Sequence, residues 1–286
     1  MPQPPAMVDS LDTLAKSYAV VLCDVWGVLH NGVSAFSPAV EALARARRAG
    51  KAVVLVTNSP RPSDLVKEQL RQIGVPDEAW DEVVTSGDVT RELIRNGPRR
   101  VFHLGPDRDL PIYDGLDAEL VEEFEASGVV CTGLFDDEAE TPEDYAEMLQ
   151  RLRARDLPFI CANPDIVVER GDRLVFCAGA LARDYGLLGG RTLIAGKPHR
   201  PIYEAALAAA GRELGREVGP GDALAVGDGV LTDVKGAAGM GIDVLFVTEG
   251  IHISEYKEDG RLDEARLAAF LEKHGHKPVA AVERLR

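Results

Sequence analysis

Short runs of apolar, β-branched residues recur along this chain with helical stretches between them, and that alternation narrows the fold more than any other feature. Residues 18–23 (YAVVLC) and 52–56 (AVVLV) are apolar at every position rather than at alternate ones. A strand with one wet face alternates, whereas an unbroken run marks a strand covered on both faces, as in a parallel sheet flanked by helices. Between these runs Pro38 opens a helix that lasts to Arg48 and stops at Gly50, with proline at the start and glycine past the end. Arg61-Pro62 starts a second helix, to Ile73. Further strands are expected at residues 101–104, 129–132, 159–162, 192–195, 223–226 and 244–247. Helices are expected from a capping box at Thr141 toward Arg153, over residues 201–214, and from Asp233. The pattern predicts an α/β fold with a parallel sheet flanked by helices. Polar punctuation at residues 87–97 and 186–191 breaks the series, and the segment between has its own strand–helix alternation. The expected organisation is therefore a core of residues 1–86 and 191–286, with residues 87–190 as an inserted α/β domain.

The 286 residues carry 47 acidic against 32 basic side chains, a formal net charge of −15. That balance argues against nucleic acid or an anionic membrane as partner, since both demand a cationic surface. An anionic substrate must then be drawn in by a local cation. No apolar run approaches the ~20 residues that span a bilayer, and the opening MPQPPAMVDS lacks the basic and apolar regions of a signal peptide. Cys23, Cys131, Cys161 and Cys177 are scattered in apolar stretches without a CxxC pair, which predicts buried thiols rather than a disulfide framework or a zinc site. Reduced cytoplasm is the expected compartment.

In open parallel sheets ligands bind at the carboxyl ends of strands, so the residues that follow each buried run are the informative ones. Asp24 follows the first (VVLCDVWGVLHNG), Thr57 and Asn58 the second (VLVTNSP), Lys197 a third (LIAGKPHRPIYE), and Asp228 a fourth (LAVGDGVLTD), with Asp233 five residues on. These residues are expected to converge on one edge of one sheet. Grouped carboxylates repel and coexist best around a hard dication; an oxygen-rich site with room for water and phosphate oxygens is what Mg²⁺ prefers. The lysine and the threonine hydroxyl would hold phosphoryl oxygens, and one carboxylate could serve as nucleophile. Taken singly, each has a plainer role as a cap or turn residue.

The motif set resembles that of the haloacid-dehalogenase (HAD) superfamily of phosphohydrolases, in the NagD-like subclass (IIA) whose large α/β cap is inserted between the second and third motifs. The matches, in order, are the Asp of DVWGVL, the Thr-Asn pair of VTNSP, the Lys of GKPHRPIYE and the acidic GDGVLTD; CANPD (161–165) and CAGALA (177–182) match cap-associated signatures. The resemblance runs from about Tyr18 over nearly the whole chain. It implies a Mg²⁺-dependent phosphatase that acts on a small cytosolic phosphate ester through an aspartyl-phosphate. Asp24 would be nucleophile and metal ligand, Trp26 a ligand through its backbone carbonyl, and Asp228 a further ligand. Thr57, Asn58 and Lys197 would bind the phosphoryl group, and Asp233 would support the metal shell or orient Lys197. In many members such a cap also mediates a homodimer.

One position departs from the family. Its first motif is usually DxDG, and the second Asp is the general acid that protonates the leaving oxygen; here that position is Trp26. Losing a general acid costs ~10²–10⁴-fold out of total accelerations of ~10⁶ and more, so slower chemistry remains chemistry, favouring good leaving groups. The other reading is a noncatalytic phosphometabolite-binding or regulatory protein that kept the pocket. His30 could line the mouth of the site or replace the missing acid, and Asn163 and Asp165 are candidate substrate contacts in the cap. His199 and His252 read as loop residues, and His274 with His276 shows no ligand pattern.

Overall fold

A computed structural model describes residues 3–171, 173–259 and 261–286. Its strands, in chain order, are β1 (Ala6–Met7), β2 (Val20–Cys23), β3 (Ala52–Thr57), β4 (Glu82–Thr85), β5 (Arg100–Leu104), β6 (Glu119–Leu120), β7 (Gly128–Cys131), β8 (Phe159–Cys161), β9 (Val167–Arg170), β10 (Arg173–Phe176), β11 (Thr192–Ile194), β12 (Ala223–Gly227), β13 (Asp243–Val247), β14 (Lys257–Glu258), β15 (Arg261–Leu262) and β16 (Ala280–Val282). One sheet has the order β4–β3–β2–β12–β13–β16–β1 and a second the order β11–β8–β7–β5–β6. The pairings from β3 across to β1 are parallel, as are all four of the second sheet. The fold class is the α/β one that the unbroken apolar runs imply. Every residue of β2, β3 and β12 is buried, as expected of parallel strands covered on both faces.

The contacts of the chain divide it into two compact units. One holds the residues up to Val56, Glu68–Val83 and Tyr203 onward; the other holds Thr57–Lys67 and Val84–Ile202. In the first, the order of strands reverses between β2 and β12: the chain proceeds outward to β3 and β4 on one side and to β13 and β16 on the other. Such a switch point leaves a crevice at the carboxyl ends of the two strands. The second unit has its own core, in which Phe159 stacks on Tyr185 (centroids 5.0 Å apart) and the Tyr185 hydroxyl donates to the Leu157 carbonyl at 2.6 Å.

Two expectations require correction. Residues 87–97 are not mere punctuation: Ser86–Arg95 is a helix, capped by the Thr85 hydroxyl, which accepts the Asp88 N–H. Its buried positions, Gly87, Thr90 and Ile94, follow the helical spacing. The strand before Lys197 belongs to the second sheet, where β11 pairs with β8 (Ile194 opposite Cys161), so Lys197 does not follow a strand of the sheet that carries Asp24. The loop after β3 also packs within the second unit, with the Gly87 N–H donating to the Ser59 carbonyl at 3.0 Å. All four cysteines are buried thiols. Among the described residues no helix is long and apolar enough to cross a membrane.

Candidate active site

The registers Cys23 opposite Val226 and Gly227 opposite Phe246 place the ends of β2 and β12 side by side, and an aspartate follows each. Asp24 leaves β2 with its N–H still bonded to the Val226 carbonyl at 2.8 Å, while its own Oδ1 accepts the Val25 N–H at 2.7 Å. Asp228 follows β12, and its Oδ2 accepts the Ile251 N–H at 2.8 Å. From Val230 to Val234 the chain makes a wide, π-helical turn that brings Asp233 back. The Asp233 Oδ2 accepts the Gly229 N–H at 3.1 Å, and the Tyr203 hydroxyl holds the same turn from outside through the Thr232 and Asp233 carbonyls at 3.2 and 3.3 Å. Turns of this width cluster at functional sites.

Asp24, Asp228 and Asp233 each offer a carboxylate oxygen within 4.8 Å of the others. They are 8%, 5% and 5% exposed. Three carboxylates this close and this dry are costly unless cations share the space. The donor set is all oxygen and has few protein ligands, which suits Mg²⁺ better than a soft metal. The site is also shaped around a carboxylate: Gly27, at φ +79°, lies where a Cβ would come within 2.3 Å of Asp228 Oδ2. Only glycine meets both demands at that position. The residues thus fit a hard dication.

Trp26 and His30 belong to the loop between Asp24 and the first long helix. The Trp26 ring is half-buried over Gly32, whose φ is +84°, and a Cβ there would lie 2.5 Å from its Cη2. It meets His30 edge to face, with centroids 4.9 Å apart. His30 is buried, and its Nδ1 accepts the Gly32 N–H at 2.9 Å, which leaves its proton on Nε2. Burial pushes the imidazole down to about 4, so at neutral pH it is uncharged and has no imidazolium proton to give a leaving group.

Within the second unit three other expected residues meet. Lys197 N–H donates to Asn58 Oδ1 at 2.7 Å, and Asn58 Nδ2 donates back to the Lys197 carbonyl at 3.1 Å and to Asp165 Oδ1 at 2.9 Å. Thr57, at the end of β3, accepts the Ser59 N–H on its hydroxyl at 3.2 Å. Thr57, Asn58 and Lys197 are all buried. The Lys197–Pro198 peptide is cis. Asn163 accepts the Asp165 N–H at 3.2 Å and shapes the turn around Pro164. In this structure Asn163 and Asp165 thus have bracing roles: one fixes a turn and the other orients the Asn58 amide.

Sequence reasoning passed over Gly27, Gly250 and the Ile251 amide. Gly250 stands just beyond β13, the strand beside β12, and a Cβ there would lie 2.0 Å from Asp228 Oδ2. A glycine at the carboxyl end of a strand next to a motif strand was the available signal. A backbone donor such as Ile251 N–H leaves no trace in residue identity.

The chain is similar to known proteins along most of its length. Residues 21–119 match the family model described as haloacid dehalogenase-like hydrolase, and residues 194–273 match a second, HAD-hydrolase-like model. Haloacid dehalogenase-like hydrolase domain-containing protein 2 of Rattus norvegicus is 31% identical over 238 residues, which cover 80% of this chain and 84% of that protein. The 5'-nucleotidase YutF of Bacillus subtilis is 26% identical over 255 residues, covering 85% and 92%. Among solved structures, a haloacid dehalogenase-like family hydrolase from Brucella suis is 60% identical, with a TM-score of 0.89 over 98% of this chain and 100% of that one. A 4-nitrophenylphosphatase from Thermotoga maritima is 25% identical, with a TM-score of 0.69 over 94% and 95%.

Proposed function

This chain belongs to the haloacid dehalogenase-like hydrolases, and from that premise we propose that it is a Mg²⁺-dependent phosphatase that transfers a phosphoryl group to Asp24 before hydrolysis. The observation that carries the proposal is the buried trio of Asp24, Asp228 and Asp233 at the switch point of the first sheet. A pocket that only bound phosphate esters would gain nothing from anions there. The substrate is a small phosphorylated metabolite. The names of the B. subtilis and T. maritima relatives, a nucleotidase and a nitrophenylphosphatase, support an ester of that size.

The steps follow from the residues. An Asp24 carboxylate oxygen attacks phosphorus, the bond to the ester oxygen breaks, and water later cleaves the acyl phosphate to free the carboxylate and inorganic phosphate. Asp24, Asp228 and the Trp26 backbone carbonyl are the metal's protein ligands, with Asp233 in support. Bound Mg²⁺ supplies the positive charge that offsets these carboxylates and the phosphoryl oxygens. The Thr57 hydroxyl, the Asn58 amide and the Lys197 ammonium are the phosphoryl-binding groups, with Asn58 and Lys197 registered by their mutual bonds. The inserted α/β segment, about residues 87–190, serves as the cap, and His30, Asn163 and Asp165 are the candidate contacts near the substrate.

With an indole at position 26 and a neutral His30, no side chain in the first-motif loop protonates the leaving oxygen. The oxygen departs as an anion, so the rate depends steeply on its acidity, and aryl or acyl phosphates outrun alkyl ones. The test is a leaving-group series with and without Mg²⁺, in the wild type and in Trp26→Asp. The variant should accelerate alkyl over aryl esters by up to ~10²-fold. Equal wild-type rates on both classes would defeat the leaving-group preference while sparing the phosphatase reading. Turnover of neither class at saturating Mg²⁺ would favour a binding protein.

A further inference from the structure

Beyond β13 the chain turns through Thr248-Glu249-Gly250-Ile251-His252 and touches the acidic loop at consecutive points. A Cβ on Gly250 would lie 2.0 Å from Asp228 Oδ2 and 2.2 Å from Asp228 Cβ, so the Gly250 backbone approaches the Asp228 side chain as closely as glycine permits. The next N–H, on Ile251, donates to Asp228 Oδ2 at 2.8 Å. One residue later, His252 Nε2 accepts the Val230 N–H at 3.3 Å. Val230 opens the wide turn that ends at Val234 and carries Asp233.

The first N–H groups of a helical turn lack partners inside it. His252 satisfies one from outside, from a ring fixed in turn by Phe270, 5.1 Å away centroid to centroid, on the helix Glu264–Lys273. The loop therefore grips the Asp228–Asp233 segment at two places: the Asp228 carboxylate, and the amide from which the turn to Asp233 departs. Releasing the second grip leaves both carboxylates present but frees the turn that sets their separation.

We infer that His252 is a positioning residue for the metal site, acting through the Val230 amide to hold the Asp228 ligand and its supporting Asp233 at their observed separation. The inference rests on the reading of the trio as the Mg²⁺ site and adds to it a residue outside the family motifs. Partners of ligating groups commonly account for 10–100-fold in metal affinity.

The experiment titrates the full-length, metal-stripped chain with MgCl₂ and follows the thermal midpoint, with calorimetry as a second readout and no substrate present. Wild type, Asp228→Asn, His252→Ala and His252→Gln are compared. His252→Ala should need ~10-fold more Mg²⁺ for half its stabilisation. His252→Gln, whose Oε1 can accept the same N–H, should recover most of that loss. If His252→Ala melts earlier without Mg²⁺ yet binds it as wild type does, the residue is merely structural and the inference fails. If His252→Ala does not fold, Phe270→Leu replaces it: the imidazole stays but loses its backing ring, and an intermediate shift is expected. Wild-type Mg²⁺ binding in Phe270→Leu would then overturn the inference. A wild-type chain that ignores Mg²⁺ would overturn the metal reading itself; a wild type that responds, with His252→Ala equal to it, overturns only the role of His252.

Discussion

In the second unit Asp137 accepts from the guanidinium groups of Arg108 and Arg170, and Glu123 takes both arms of Arg151 at 2.8 Å. In the first unit the bonds of the Asp24, Asp228 and Asp233 carboxylates to that unit's backbone come from the N–H groups of Val25, Ile251 and Gly229. The difference is not one of unit, since Asp81 of the first unit is bonded to Arg47 in the ordinary way. It is one of purpose. A guanidinium neutralises a carboxylate and completes it, whereas a backbone N–H aims it without adding a full positive charge. The arginine-bound carboxylates hold structure, whereas the trio, on the proposed reading, holds a cation.

The sharpest way to break this contrast is Asp24→Asn. Turnover of an aryl phosphate should fall by ~10⁴-fold or more. The metal-free chain should melt at or above the wild-type temperature, because one of three crowded negative charges is gone. A large loss of stability would mean that the trio is architectural after all. Next is Lys197→Met, which keeps the main-chain bonds to Asn58 and removes the ammonium. Steady-state kinetics should show kcat/KM down by ~10²–10³-fold, with the circular dichroism spectrum unchanged.

The pH dependence of stability sharpens the second side. Burial holds the Asp109 carboxyl up at about 6, against the opposing pull of Arg108 and Arg61. Between its ordinary value of 3.8 and about 6 the folded chain binds more protons at this group than the unfolded chain, so stability from Asp109 falls as pH rises through that window. Asp109→Asn should therefore match wild type near pH 4 and exceed it above pH 6, on the order of 2 kcal/mol in urea unfolding. The smallest expected effect is at Asp137. Burial alone would raise this carboxyl, but the bonds and charges of Arg170 and Arg108 outweigh it and hold it below its ordinary value. That stability is complete at neutral pH and disappears as pH falls through the lowered value. Because both guanidiniums are a third to a half exposed, Asp137→Asn should cost only about 1 kcal/mol at pH 7 and leave kcat unchanged.

Much of this contrast can be read in the sequence, and the unread part has physical reasons. The buried runs of β2, β3 and β12 announce themselves because a parallel strand covered on both faces tolerates no polar residue, and the first polar residue after each marks the sheet edge. Asp24, Thr57 and Asp228 were found in that way. The helix Ser86–Arg95 was missed because Gly87 and its charged neighbours resemble a loop until the spacing of Gly87, Thr90 and Ile94 is counted. The sheet to which β11 belongs could not be read at all, since three apolar residues pair equally well with either sheet and only the partner β8 decides. His252 looks like any loop histidine because its task is to accept a backbone N–H, and the group it serves has no side-chain signature.

The strand order of the first sheet also bears on how the molecule is made. Val20 of β2 lies opposite Ala223 of β12, and β1 pairs with β16, so that sheet joins residues far apart in the order of synthesis. The strands of the second sheet all lie between Arg100 and Ile194, so its pairings can form while β12, the other neighbour of β2, is still to be translated. Until then the apolar edge of β2 faces the nascent-chain environment with β3 alone for company. Pairings so distant in sequence pay the full entropy of closing the intervening loop and form late. Asp24 therefore leaves the ribosome well before Asp228 and the loop after β13, and its site stays incomplete until they follow.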